Sequence, residues 1–306
     1  MTLSIEEQRI SFGRELIEAG WLIPTLADGV NGLGDPAEAV VEGLQAQASR
    51  IAKQQNYPAL NTLRFPPVNS EQLLRRTDYV ASFPQLMGLV STFAGERKEH
   101  AALLAAAEAG ESWQQQLEPS AFALIPAVCH PLYAHLEGRT VDGECYQLTG
   151  DCFRNEPSED PFRMVAFRMR EYVVLGSEAQ ARQHRDRWIE LGEEMLSALG
   201  LEIVVESAND PFFGRAGRLL ASGQREAKLK YELLTEVFPG HPTAIASGNW
   251  HQDHFGANFS ITAADGSVAH SGCFGFGLER IMLALVARHG LELKDWPVPV
   301  RALLGL

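Results

Sequence analysis

Polar and apolar positions over residues 1–60 follow the pattern of amphipathic helices, as in the segment RELIEAG. Ser4 and Glu7 have the spacing of a capping box, in which the two side chains close the first turn of a helix. Asp35 followed by Pro36 predicts the start of a second helix, because proline is well tolerated at the first helical position. The pattern therefore predicts a mostly helical N-terminal segment.

The pattern changes near residue 119, after which strand-like segments predominate. Before the change, residues 60–66 predict a short strand that prolines end, and residues 97–117 predict a helix rich in Ala, Glu and Leu. After the change, apolar and β-branched runs predict a series of strands. These segments are 122–128, 145–156, 162–176, 202–207, 228–238, 243–249 and 258–272.

Helix and turn signals separate these strands. Ser177 predicts the N-cap of a long helix that ends near residue 199. The Asp265–Gly266 pair predicts a tight hairpin turn, and Gly290 predicts the end of a final helix that starts near residue 277. Together the elements predict an α+β fold, an antiparallel sheet flanked by helices.

The composition change divides the chain into two predicted parts, a mostly helical N-terminal extension (1–118) and a core domain (119–306). Hydrophobic residues make up 45% of the chain and charged residues 21%, which is typical of globular proteins. No apolar signal segment and no membrane-length apolar run is present, so we expect a soluble, cytoplasmic protein without membrane contact. The four cysteines are far apart, and we expect them to be reduced.

The chain carries 26 basic and 39 acidic residues, a net charge of −13. An acidic total disfavours general nucleic-acid binding, because phosphate contacts need clustered lysines and arginines. One local exception is the segment 215–230, in which Arg215, Arg218, Arg225, Lys228 and Lys230 stand against the single acid Glu226. Such a basic face would attract an acidic partner, although a solvated surface helix has the same composition.

Two segments carry candidate chemistry. Phe153-Arg154-Asn155-Glu156 and the later strand of Phe167, Met169 and Glu171 predict a hairpin that presents an arginine, a carboxylate and an aromatic ring on one surface. Arginine can bind phosphate with two hydrogen bonds, and an aromatic ring can stack on a base. A charged, solvated hairpin has the same spacing, so the pattern alone leaves both interpretations open.

The second segment is GCFGFGLERIMLAL, residues 272–285, where small residues precede a helix whose first turn holds Glu279 and Arg280. A glycine-rich turn before a helix is weak evidence for nucleotide binding by itself. It also lacks the parallel strand–turn–helix setting of a dinucleotide fingerprint.

Taken together, these segments resemble a known family. FRNE followed by FRMRE resembles motif 2 of class II aminoacyl-tRNA synthetases, and GFGLERI resembles their motif 3. Between them, KYELLTEVFPG and IASGNWHQDHFGANFSI are similar to strands of the seryl-tRNA synthetase core. This similarity covers about residues 120–306. Over its whole length, the chain resembles the amino acid:[carrier protein] ligases, relatives of the atypical, methanogen-type seryl enzymes.

The resemblance implies an ATP site. Arg154 would bind the α-phosphate and the substrate carboxylate, and Glu156 would accept a hydrogen bond from the adenine amino group. Phe167 would stack under adenine, and Arg280 would close over its other face or bind the γ-phosphate. Lys230 is a weaker phosphate candidate, since a strand-edge lysine is commonly just solvated. The further nucleotide contacts implied are Arg163, Met164, Ala244, Ile245, Ala246 and Ser247.

The resemblance also implies a Zn²⁺ site made of Cys129, Glu171 and Cys273, with a fourth position open for the α-amine of the amino acid. Without the resemblance, buried structural cysteines would be the better interpretation. Cys145 and Cys152 fit no such pattern, and we interpret them as structural.

The magnesium ligands that accompany ATP are less defined. Seryl enzymes carry an acidic residue six positions before the asparagine of their SN motif, and this chain has Thr243 there. Glu232 and Glu236 are the possible substitutes.

The substrate implied is a small amino acid, glycine or alanine. Trp250 and Phe255 could narrow its side-chain pocket. The polar candidates around it are Asn209, Asp210, Asp253 and Asn258, with Glu171 from the metal set. An ordinary loop role, as turn-forming residues before Pro211 and Gly256, fits these residues equally well.

The reaction implied has two steps, adenylate formation and transfer to the phosphopantetheine thiol of a carrier protein. We expect no tRNA partner, because the first 118 residues show no sustained heptad pattern of a tRNA-reading coiled coil. We expect a homodimer through the motif 1 region, around Ala121 to Leu132 with Pro126. The alternatives are a truncated seryl-type tRNA synthetase and a non-catalytic regulatory paralogue.

Overall fold

The centre of the fold is a seven-stranded sheet, seen in a computed structural model that describes residues 4–210, 213 and 228–306. Every neighbouring pair of strands in this sheet is antiparallel, except that Leu60–Leu63 runs parallel to Cys145–Phe153. The strands, in spatial order, are β10 (Ile203–Ser207), β11 (Lys230–Phe238), β12 (His241–Trp250), β14 (His270–Gly277), β9 (Ala166–Gly176), β8 (Cys145–Phe153) and β3 (Leu60–Leu63). The predicted α+β class is confirmed.

Smaller sheets and helices surround this centre. The other strands are β1 (Leu22–Pro24), β2 (Asn31–Leu33), β4 (Val68–Ser70), β5 (Leu89–Thr92), β6 (Glu118–Leu124), β7 (Thr140–Val141) and β13 (Thr262–Ala263). The helices are α1 (Ile5–Glu18), α2 (Asp35–Lys53), α3 (Glu71–Arg76), α4 (Tyr79–Ser82), α5 (Arg97–Glu108), α6 (His130–His135), α7 (Glu178–Ala198), α8 (His254–Asn258), α9 (Leu278–His289) and α10 (Val298–Leu304).

Local capping signals place several helix ends where the sequence predicts them. Ser4 and Glu7 form the capping box of α1, and Ser177 accepts a hydrogen bond from the backbone of Gln180 at the start of α7. Such side-chain caps satisfy backbone N–H groups that have no partner inside the helix. Gly290 follows α9 with φ of 89°, a backbone conformation that glycine adopts at little cost.

The central sheet separates two cores because side chains alternate between its faces. On β9, Tyr172 packs against Trp188 of α7, with ring centroids 3.8 Å apart, inside the larger core that also contains α2 and α9. The next residue, Val173, belongs to the second core, together with Cys129 and Cys273. This alternation directs Phe167, Met169 and Glu171 to the same face as Val173.

Several predicted boundaries differ from the structure. Strand β8 ends at Phe153, so Arg154 and Glu156 lie in the following loop rather than on a strand. Helix α5 ends at Glu108 instead of near 117, because Gly110 takes φ of 70° and turns the chain. The first sixty residues also contain the short hairpin of β1 and β2.

The N-terminal segment is joined to the rest of the fold, since β3 forms the outer strand of the central sheet. The proposed division between residues 118 and 119 stays a prediction. Within the described residues, no helix combines the length and the apolar character needed to cross a membrane.

Candidate functional site

A cleft of about 860 Å³ opens on the sheet face that carries Glu171. Its volume lies in the range of sites for cofactors and small substrates. Most of the sequence-predicted site residues lie on its wall. They are Cys129, Arg154, Glu156, Met164, Phe167, Glu171, Asn209, Asp210, Lys230, Ala244, Ile245, Ala246, Ser247, Cys273 and Arg280.

Strands β9 and β14 position the middle of this wall. Glu171 on β9 stands directly opposite Gly275 on β14, and Cys273 stands opposite Val173. A Cβ atom at Gly275 would lie 3.3 Å from Cγ of Glu171, so the glycine leaves room for that side chain. The register therefore brings Glu171 and Cys273 together on the same face, on neighbouring strands.

Cys129, Glu171 and Cys273 form one buried cluster. Cys129 precedes α6, and its thiol lies beside Cys273 and Glu171, which both raise its pKa. Two further groups reach Cys273: Nδ2 of Asn249 donates to its Sγ at 3.5 Å, and Nε2 of His251 lies 3.6 Å away. Residues 129, 171 and 273, distant in sequence, therefore share one set of contacts.

The charges in this cluster follow from burial and from those contacts. The hydrogen bond from Cys129 and the nearby His251 lower the pKa of Cys273, which favours its thiolate, and the same contact raises the pKa of Cys129. Burial and the negative charge on Cys273 raise the pKa of Glu171 to about 8. Burial lowers the pKa of His251, but the charge of Cys273, the hydrogen bond to Cys273 and the charge of Glu171 together outweigh burial and raise this pKa.

The side chains of the cluster are suitable metal ligands, but they are not arranged as in a formed metal site. In the described residues, no three His, Cys, Asp or Glu side chains stand as a formed ion site would hold them. Oε2 of Glu171 is buried and has no hydrogen-bond partner in the same part of the chain. An unpartnered carboxylate oxygen in a cluster with two cysteines suits a cation such as Zn²⁺, which takes S and O ligands.

The wall of the same cleft also holds two arginines, Arg154 and Arg280. The guanidinium of Arg154 stands 5.4 Å from the ring centre of Phe167, and its Nε donates to the carbonyl of Pro126. Nε of Arg280 donates to the carbonyl of Phe162 at 2.9 Å. Burial and the charge of Arg154 lower the pKa of Arg280, because the two cations repel each other. An anion placed between them would relieve this repulsion.

Lys230 differs from the solvated strand-edge lysine that the sequence allowed. It is buried, and its Nζ contacts Oδ1 of Asp210 at 2.6 Å and Oε1 of Glu232 at 3.1 Å. These two carboxylates hold the ammonium group in the cleft wall. The prediction that Lys230 belongs to a basic surface is therefore wrong. Lys228 of the same segment is exposed, as that prediction requires. Arg215, Arg218, Arg225 and Glu226 lie outside the described residues.

Some predicted residues lie away from this wall in the described part of the chain. Arg163 is exposed and ion-paired to Glu156 at 3.4 Å. Asp253 is exposed just before α8, and the amide of Asn258 donates to the carbonyl of Arg76 at the surface. Of the two magnesium candidates, Glu232 lines the cleft and Glu236 does not.

The sequence analysis missed several groups that line the cleft, among them Tyr79, His130 and His251. Tyr79 comes from α4 in the N-terminal segment, and His130 and His251 directly follow Cys129 and Trp250 in the chain. Burial, together with the charge on His251, lowers the pKa of His130 to about 3 and keeps this ring neutral. Because His130 follows the predicted metal ligand Cys129 in the chain, the sequence could have indicated it as a site residue. No sequence motif near Tyr79 indicates that it lines the cleft.

Comparison with known proteins identifies the family of the chain. Residues 114–289 match the family model for the tRNA synthetase class II core domain (G, H, P, S and T). Two amino acid–[acyl-carrier-protein] ligases of Bradyrhizobium diazoefficiens are 39% and 38% identical to this chain over 91% and 92% of its length, and over 83% and 86% of their own. The chain belongs to the amino acid–[acyl-carrier-protein] ligase family, within the class II synthetases.

More distant relatives share the core of this ligase family. The type-2 serine–tRNA ligase of Methanopyrus kandleri is 29% identical over 62% of this chain and 39% of its own length. The crystal structure of M. kandleri seryl-tRNA synthetase in complex with A. aeolicus tRNASec superposes with a TM-score of 0.79 at 23% identity. The match covers 96% of this chain and 60% of that one. The predicted fold and family are confirmed.

Proposed function

We propose that this protein activates a small amino acid with ATP and transfers it to the phosphopantetheine thiol of a carrier protein. The observation that carries the proposal is the pairing, in one cleft, of two repelling arginines with the buried cluster of Cys129, Glu171 and Cys273. The first set suits a polyphosphate, and the second suits a metal-assisted amino acid site. The ligase names of the two Bradyrhizobium relatives support the same reaction.

In the first step, a carboxylate oxygen of the amino acid attacks the α-phosphorus of ATP, and pyrophosphate leaves. Negative charge grows on the phosphoryl oxygens as the new bond forms, and fixed cations lower the energy of that state. Arg154 would contact the α-phosphate and the carboxylate, and Arg280 would lie over the nucleotide. Catalysis of this kind rests on positioning and charge neutralisation rather than on a protein nucleophile.

The base and ribose would bind beside these arginines. Phe167 offers its ring as a platform for adenine, Glu156 would accept a hydrogen bond from the adenine amino group, and Met164 lines the same wall. Residues 244–247 would offer backbone and hydroxyl groups to the ribose and to Mg²⁺. Glu232 is the better placed of the two magnesium candidates, because its carboxylate already lies at the cleft.

We propose Zn²⁺ as the metal for Cys129, Glu171 and Cys273. The thiolate character of Cys273 and the unpartnered Oε2 of Glu171 support this choice. A bound Zn²⁺ would act as a Lewis acid for the α-amine. The chain itself would then orient the substrate, because the cluster and the arginines line the same cleft.

We propose glycine, with alanine as the second candidate, for the amino acid. Phe255 lines the cleft near the cysteine cluster, and its ring stacks on Tyr133 with centroids 3.9 Å apart. Trp250 does not narrow this pocket as predicted, because its ring stacks on His270 at 5.9 Å and lies against Arg182 of α7, on the other face of the sheet. The fixed ring of Phe255 resists displacement by a larger side chain, although one methylene changes binding by only about 1–3 kcal/mol.

In the second step, the phosphopantetheine sulfur attacks the carbonyl carbon of the adenylate, a thioester forms and AMP leaves. The thiol has an ordinary pKa near 8.5, so a useful fraction is thiolate near neutral pH, and the released proton passes to solvent. The exposed Lys228, with the arginines of segment 215–230, would attract an acidic carrier protein.

We propose a homodimer through β6 and α5. No residue of α5 is buried in the single chain, and Phe122 on β6 and Leu89 on β5 are 54% and 57% exposed. A helix without a buried face gains its stability from packing against another surface. A second copy of this chain would supply that surface.

The test of the activation step is ATP–pyrophosphate exchange with each of the twenty amino acids, using Arg154→Ala as the inactive control. Exchange with glycine or alanine, lost in Arg154→Ala, is the expected result. Preference for serine would favour the truncated seryl-type alternative. Exchange with no amino acid would favour the regulatory paralogue and overturn the proposal.

A further inference from the structure

Helix α1 reaches the loop that connects β8 and β9, residues 154–165, through a largely buried ion pair. Nη1 of Arg9 lies 2.8 Å from Oδ2 of Asp160, and their side chains are only 20% and 10% exposed. The same guanidinium contacts Oγ1 of Thr243 on β12 at 3.5 Å. Arg9 therefore links the N-terminal helix to loop 154–165 and to strand β12.

Asp160 is connected to Arg280 through the backbone of Phe162. Its other oxygen, Oδ1, accepts a hydrogen bond from the backbone N–H of Phe162 at 2.9 Å. The carbonyl of Phe162 accepts from Nε of Arg280 at 2.9 Å. The ring of Phe162 also packs against the N-terminal segment. It stacks on Phe12 of α1, with ring centroids 6.2 Å apart.

A second contact from the N-terminal segment meets the same loop. The carbonyl of Gly29 accepts a hydrogen bond from the backbone of Val165 at 2.8 Å. Gly29 has φ of 73°, and a Cβ atom there would lie 3.0 Å from Cγ2 of Val165 and 3.2 Å from the carbonyl of Arg163. Only a residue without a side chain allows so close an approach without displacement.

We infer that Arg9 and Gly29 are positioning residues for ATP: they hold loop 154–165 and, through Phe162, the guanidinium of Arg280 in the geometry that receives the nucleotide. The inference rests on the proposed ATP site. It assigns the N-terminal segment a part in nucleotide binding, through contacts that lie outside the cleft wall itself.

Two matched pairs of variants test the inference. Arg9→Met keeps the side-chain stem and removes the charge, and Arg14→Met on the same helix is its exposed control. Gly29→Ala pushes on the loop, and Gly20→Ala is its control, because Gly20 has the same φ of 73° but no atom within 4 Å of the added Cβ. Both alanine variants therefore carry the same backbone strain, and only one displaces the loop.

The readouts are calorimetric binding of a non-hydrolysable α,β-methylene analogue of ATP, the KM values for ATP and for the amino acid, and the melting temperature. Arg9→Met and Gly29→Ala should each weaken analogue binding by about 10-fold and raise the KM for ATP, with the amino acid KM unchanged. Arg9→Lys should restore part of the affinity. Arg14→Met and Gly20→Ala should bind as the wild type does.

Unchanged analogue binding in Arg9→Met and Gly29→Ala would overturn the inference while leaving the proposed function standing. The inference would also be overturned if the KM values for ATP and for the amino acid rose equally and in proportion to the loss of melting temperature. A purely structural role of Arg9 and Gly29 predicts that result. A wild-type protein that binds no analogue would instead overturn the proposed ATP site itself.

Discussion

Arg168 donates its backbone N–H and its Nε to the two carboxylate oxygens of Glu279, each at 2.8 Å, and so fastens β9 to the start of α9. The carboxylate of Glu38 on α2 contacts the same guanidinium at 2.8 Å. Phe167 precedes Arg168 and Arg280 follows Glu279 in the chain, so this contact sets the distance between the two groups proposed to enclose adenine.

Replacing Glu279 by Gln should lower the free energy of unfolding by about 2 kcal/mol, because the partly buried Arg168 would lose a buried, charged partner and keep only Glu38. Urea unfolding measures this loss. The matched control is Glu178→Gln, which breaks a pair with Arg182 in which both side chains are about half exposed. That pair should contribute less than about 0.5 kcal/mol. Equal losses in the two variants would contradict the structural role of Glu279.

The sequence predicted this part of the fold well, for local reasons. Capping residues, an alternating β9 and a glycine-rich β14 are signals within a few residues, and they placed Glu171 and Arg280 in the correct elements. The contacts of Arg9 with Asp160 and of Lys230 with Asp210 join residues far apart in the chain. Periodicity carries no information on such pairs, because tertiary packing alone decides them.

Acid should destabilise the protein through His184. This ring is buried, with Nε2 donating to the carbonyl of Tyr172 and Nδ1 accepting from the hydroxyl of Tyr57. Burial lowers the pKa of His184 from 6.5 to about 4. The unfolded chain therefore binds the proton more tightly, so stability is full above pH 6.5 and falls as the pH drops towards 4.

When the pH is lowered from 8 to 5, protonation linked to His184 should lower the free energy of unfolding by about 2 kcal/mol. Urea titrations at several pH values measure the slope. His184→Gln should flatten it by that amount relative to His100→Gln, a change at an exposed histidine of α5. Identical slopes in the two variants would show that the ring does not titrate as its burial predicts.

Cys129→Ser should lose bound zinc and amino acid activation together, because a hydroxyl is a far weaker zinc ligand than a thiolate. Metal content per chain by mass spectrometry and ATP–pyrophosphate exchange are measured on the same sample. Cys145→Ser is the matched control: Cys145 is also buried and free, and it belongs to the other core. Normal exchange in metal-free protein would refute the zinc site.

Phe122→Glu should convert the proposed dimer into monomers, since it would bury a charge in the interface. Sedimentation velocity measures the change in mass. Leu26→Glu is the control, because Leu26 is fully exposed and lies in the loop between β1 and β2. A wild-type monomer, or a Phe122→Glu dimer, would contradict the assignment of this surface.

The most direct test of the central claim asks which acceptor takes the amino acid. The protein is incubated with ATP and radiolabelled glycine, alanine or serine, and then with either a phosphopantetheinylated carrier protein or total tRNA. A carrier protein without the phosphopantetheine arm is the acceptor control. Thioester label on the armed carrier alone, from glycine or alanine, is the result we predict. Label on tRNA, with serine preferred, would contradict the carrier-protein ligase account.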